Sequence, residues 1–248
     1  MRIRFGRYVF GLGAVAFGLI TLTWHRVNAL GGLSHSGILV YTAGIAELAG
    51  GIAVLWQKTV RLGAIILVFI FSIFSLYWIP LIIRTPLDFP PYGNFFEIFS
   101  ILIGSVFILA STLSDHQDKT AVIEKAAYIC YGVCVVTYAL YQLLYLKYTA
   151  SLVPKWIPPG QMFWAVATTI AFALAAIAIL SGRSALLASR LLTIMLVAFG
   201  LLIWVPACVI HPHVTSNWTE NCSNLAMAGS AWIVVDYLTR KQSAGATV

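Results

Sequence analysis

Among the few acidic residues of this 248-residue chain, Glu47 stands at the middle of an apolar run of 20 residues, Gly37 to Trp56. A carboxyl group at membrane depth is costly, and by default it marks function. As a neutral acid it could donate to a quinone carbonyl, pass a proton, or accept a cation. In a purely structural role it would hydrogen-bond a neighbouring hydroxyl or carbonyl and fix helix packing. Thr21, Thr23, Tyr77 and Tyr138 are conceivable partners.

Glu97 and Glu220 each follow an asparagine by three residues, in Asn94-Phe-Phe-Glu97 and Asn217-Trp-Thr-Glu220. At the outer start of a helix that spacing predicts a capping box, and negative charge there suits the helix dipole. The alternative is an outward-facing polar vestibule. Both glutamates would line it, with Trp78 and Trp204 of two Trp-x-Pro corners and with His211 and His213. Trp78 and Trp204 also fit an interfacial aromatic belt, and Pro80 and Pro206 would kink or end their helices.

His211 and His213 flank a proline and lack the spacing of a metal site, so no metal is expected. Cys208 and Cys222, near the outer ends of two neighbouring segments, form a candidate disulfide in an oxidising compartment. Cys130 and Cys134 share a helical face, and no Cys-x-x-Cys motif is present. Gly11-Leu-Gly13 and Ala49-Gly-Gly51 follow no strand and read as close-packing sites, not nucleotide loops. No Ser-His-Asp set or paired-carboxylate active site is evident. The chain therefore reads as noncatalytic on its own.

The elements that must position these residues are membrane helices. Charged residues make up 9% of the chain and hydrophobic ones 60%, with a mean hydropathy of +0.92; a soluble domain carries about 25% charged residues. The net charge of +7 is scattered singly between apolar runs, which argues for topology rather than nucleic-acid binding. Eight apolar segments can be drawn: Tyr8–Trp24, Gly37–Trp56, Leu62–Ile83, Phe95–Leu113, Ala126–Leu146, Met162–Leu180, Leu191–Ile210 and Cys222–Leu238. Each matches a hydrocarbon core of about 30 Å at 1.5 Å per residue. The alternation of a membrane barrel is missing, so helices are expected.

With the N-terminus inside, eleven Lys and Arg residues face the cytoplasm and four, Arg26, Arg84, Lys147 and Lys155, face outward. That bias places both termini in the cytoplasm. Arg2, Arg4, Arg7 and Val27-Asn28-Ala29 loosely resemble a signal peptide, but the long apolar run favours a retained helix.

The chain repeats at a period of about 125 residues. Trp78-Ile-Pro80 returns as Trp204-Val-Pro206, and Asn94-Phe-Phe-Glu97 returns as Asn217-Trp-Thr-Glu220. Two four-helix units, an even number, must share one orientation, which makes this a parallel repeat and weighs against alternating access.

The phrase Thr42-Ala-Gly-Ile-Ala-Glu47-Leu-Ala-Gly-Gly51-Ile-Ala-Val-Leu55, with Arg61 after it, resembles the second-helix signature of DoxX-like membrane proteins. Ala150-Ser-Leu-Val-Pro154-Lys-Trp156-Ile-Pro158 with Phe163-Trp164 resembles the approach to that helix. Trp218-Thr-Glu220 and Leu225-Ala-Met-Ala-Gly229 are similar to the closing helices of tandem bacterial members. The sixth segment departs from the pattern, with Ala167-Thr-Thr-Ile-Ala-Phe-Ala173 where the family's Gly and Glu would stand.

The resemblance implies an all-α polytopic protein of the bacterial inner membrane. Its parts would be a first unit over 1–113, a cytoplasmic linker over 114–125, a second unit over 126–241 and a tail over 242–248. It also implies a noncatalytic or quinone-associated subunit of a membrane redox complex, partnered by an oxidoreductase, with Glu47 in an intramembrane polar site. A small-molecule or ion permease and a ligand-free assembly protein are the alternatives.

Overall fold

A computed structural model describes residues 5–30, 37–113 and 117–245. They form helices and short turns, with no strand among the described residues. The α-helices are α1 (Phe5–Trp24), α2 (Gly37–Leu55), α3 (Val60–Arg84), α4 (Pro90–Ala110), α5 (Gln117–Leu144), α6 (Leu146–Leu152), α7 (Gln161–Ser181), α8 (Ala185–Phe199), α9 (Val205–Ile210) and α10 (Thr215–Gly245). One π turn, Gly200–Trp204, joins α8 to α9, so that 185–210 runs as a continuous helix.

Seven of these stretches are long and apolar enough to cross a membrane: α1, α2, α3, α4, the bulk of α5, α7 and the α8–α9 run. Their outward faces leave Phe69, Leu76, Leu174, Ile177 and Ile194 exposed. Apolar surface on that scale needs lipid rather than water. The protein is a multi-pass membrane protein that associates with a lipid bilayer.

α10, expected to span over Cys222–Leu238, is not among the seven. It carries Asn217, Glu220, Asn221, Asn224 and Asp236, and its middle is among the most enclosed parts of the molecule. Ala226, Ala228, Ser230, Ala231, Ile233 and Val234 have almost no exposed surface. A helix walled in by other helices needs no lipid-facing apolar side, so its mean hydropathy falls.

Consecutive helices pack on one another from α1 to α4, and again from α5 through α7 to α8 and α10. α10 also lies against α1 and α4, and α4 lies against α5. Glycine permits the closest of these approaches. A Cβ on Gly229 would fall 2.4 Å from the Phe10 backbone nitrogen, and one on Gly18 would fall 2.5 Å from that of Leu48. Small residues at such crossings let backbones meet, which is how helices associate in lipid.

Several expectations change. Residues 117–125, part of the expected linker, are helical and form the first turns of α5. They are held by the Arg240–Glu124 ion pair at 3.0 Å and by Thr120 donating to the Leu113 carbonyl at 3.1 Å. The capping boxes are not formed. α4 starts at Pro90, where two prolines occupy the first helical positions, so Asn94 falls inside the helix. α10 starts at Thr215, and the Asn217 amide donates to the Ala207 carbonyl at 3.1 Å instead.

Candidate functional site

Freed from capping, Glu97 and Glu220 face one cavity of about 560 Å³ enclosed by α4, α5, α6, α7, the α8–α9 run and α10. Glu97 lies on the second turn of α4 and shares the cavity wall with Ser223 of α10. Glu220, a turn before Ser223, sits close enough to Glu97 for the two carboxyls to repel.

α5 supplies the facing wall. Tyr138, Tyr141 and Gln142 fall on one side of the helix and line the cavity. The Tyr138 hydroxyl donates to the Phe96 carbonyl at 3.4 Å. Gln142 Oε1 accepts from Thr168 at 3.1 Å and from Thr169 at 3.2 Å, which ties α5 to α7. Tyr148 of α6, outside the spanning helices, also lines the cavity. Burial, and after it the nearby Glu220 carboxyl, pushes the Tyr148 phenol above its ordinary range, so it stays protonated at neutral pH.

The π turn shapes the opposite side. Pro206 has no N–H to give to the Leu202 carbonyl four residues back, and Val205 N–H bonds Gly200 O across five residues. Such a bulge widens the helix locally and presents Leu202, Ile203 and Trp204 to the cavity. Asn224 of α10 donates to the Leu196 carbonyl at 2.8 Å. Gly200 makes room for it, since a Cβ there would lie 2.9 Å from the Asn224 amide nitrogen.

The other sequence candidates lie elsewhere. Trp78 is buried on α3 and donates its indole N–H to the Ala29 carbonyl at 3.0 Å, away from the cavity. Pro80 sits inside α3 without a π turn, so the two Trp-x-Pro corners do different things. His211 and His213 are exposed in the turn before α10 and do not line the cavity. Cys208 and Cys222 are both buried and both free, so the candidate disulfide is not formed in this structure.

Glu47 is 0% exposed. Its Oε2 accepts from Thr21 Oγ1 at 2.9 Å, and its Oε1 has no hydrogen-bond partner among the described residues. It is buried and does not line the cavity that holds Glu97 and Glu220.

No family model matches this chain, and no curated protein or solved structure matches it. What the site does must therefore come from its own chemistry.

Rings and aliphatic side chains make most of the wall, with two carboxyls, phenols and amides placed singly on it, as in small-molecule sites. Reasoning from sequence missed Tyr141, Gln142, Tyr148, Trp164 and Asn224. The tyrosines at 138, 141, 145 and 148 recur at steps of three, four and three. That period marks one helical face but does not say which helix it meets.

Proposed function

We propose that this protein is a noncatalytic, DoxX-like inner-membrane protein of two tandem four-helix units that holds a small amphipathic molecule in the cavity beside Glu97 and Glu220. The tandem reading pairs α1, α2, α3 and α4 with α5, α7, α8–α9 and α10. It is supported by the packing order, in which the last helix of each unit meets the first helix of the other and the two last helices meet between them. On this reading α10 is the eighth span and both termini are cytoplasmic.

The observation that carries the function is the cavity itself: about 560 Å³, walled by α4 from one unit and by α5, α7, α8 and α10 from the other. Ala167 and Ala171, at the positions where the sixth segment departs from the DoxX-like pattern, line it.

The test is native mass spectrometry of wild type and Ala167→Phe, extracted with their lipids. A small-molecule adduct on the wild type that is lost in the variant is expected. A wild type without any adduct would overturn the reading.

A second reading, the quinone-associated subunit of a redox complex, is favoured by the Tyr141 phenol on the wall, which could donate to a quinone carbonyl. An adduct with the mass of a quinone, together with a co-purifying oxidoreductase, would establish it. Under either reading Glu47 is a packing residue.

A further inference from the structure

We infer that the cavity takes an organic cation, an amphipathic molecule whose ammonium group lies between the Glu97 and Glu220 carboxyls and whose apolar body lies against the aromatic wall. This deepens the ligand-binding reading above and rests on it.

Charge is the first argument. The two carboxyls enter one space from different helices, and among the described residues no Lys, Arg or His lines it. Ser223 and Asn224 of α10 are the polar neighbours of the two acids on the wall, and neither carries a charge. Two enclosed acids without a counter-charge are expensive. A cation between them stabilises the ionised pair, an anion opposes it, and beside a neutral molecule the acids are left to hold their protons instead.

The wall chemistry agrees. Tyr138, Tyr141, Tyr148, Trp164, Phe199 and Trp204 contribute rings, and aromatic surroundings attract quaternary and alkyl ammonium groups. Size then separates an organic cation from a metal ion. A volume of about 560 Å³ suits a drug-sized molecule. Among the described residues no three His, Cys, Asp or Glu side chains gather to enclose a bare ion.

The experiment titrates the purified full chain in lipid nanodiscs with benzyltrimethylammonium and with neopentylbenzene, its uncharged carbon isostere, following tryptophan fluorescence and thermal unfolding. The cation is expected to bind at least about tenfold more tightly than the isostere. Glu97→Gln and Glu220→Gln should each reduce that preference, and Ala167→Phe should block the cation without touching either acid. Equal binding of the two probes, or an undiminished preference in both Gln variants, would overturn the assignment.

Should a Gln variant fail to fold, the wild-type preference and the Ala167→Phe block decide alone. Binding of neopentylbenzene alone, blocked by Ala167→Phe, would overturn the cation and leave the ligand-binding reading intact. Binding of neither probe overturns the cation, and only an adduct-free native spectrum overturns ligand binding as well.

Discussion

Thr21 of α1 donates its hydroxyl to Glu47 Oε2 of α2 across 2.9 Å, at a site closed to solvent. The bond joins two helices whose backbones touch through Gly18, and it leaves Oε1 without a described partner. An intramembrane acid and a hydroxyl thereby bridge a helix pair at a fully buried position.

Removing one partner of such a bond strands the other, whereas replacing both by apolar groups can be nearly neutral. Thr21→Val is therefore expected to cost about 1–3 kcal/mol, and Thr21→Val with Glu47→Leu to recover most of that loss. Thermal unfolding in detergent measures the coupling. Ligand occupancy by native mass spectrometry should stay at the wild-type level in the folded double variant. Its loss would return Glu47 to the functional site.

Pro206 should matter to shape more than to stability. Pro206→Ala restores an N–H for the Leu202 carbonyl and lets the π turn over Gly200–Trp204 relax toward a regular helix. We expect stability to rise by about 1–3 kcal/mol while ligand occupancy falls. A shift in Trp204 emission, isolated by subtracting a Trp204→Phe background, reports the movement. An unchanged spectrum with unchanged occupancy would separate the proline from the cavity wall.

Two glycines offer a matched comparison. Gly229→Ala drives a methyl group to within 2.4 Å of the Phe10 backbone, and overpacking of that kind costs about 1–3 kcal/mol. Gly37→Ala meets nothing nearer than Tyr41 at 3.8 Å, so it should be neutral or stabilising by up to about 0.5 kcal/mol. Chemical unfolding of the two variants side by side checks the contrast.

Composition and periodicity by themselves determined that this is a multi-pass helical membrane protein, because only closed backbone hydrogen bonding survives in lipid and apolar runs of this length have no soluble use. Seven spanning stretches were legible, although the starts of α4, α5 and the α8–α9 run lie five to eight residues before the expected ones. Glu47 stood out because its neighbours in sequence are apolar, and Thr21 was among its conceivable partners. Its role was not legible, since burial between helices and exposure to a cavity give the same local pattern.

Glu97 and Glu220 show the opposite case. Their local spacing argued for caps, but Pro90 and Pro91 moved the start of α4, and α10 began two residues before Asn217. Only the tertiary structure decided that the two acids share a space with the α5 tyrosines and Trp204, and that Trp78 does not. The physical reason is that a helix fixes which residues share a face, while the meeting of faces depends on how closely glycines, prolines and one π turn allow the helices to approach.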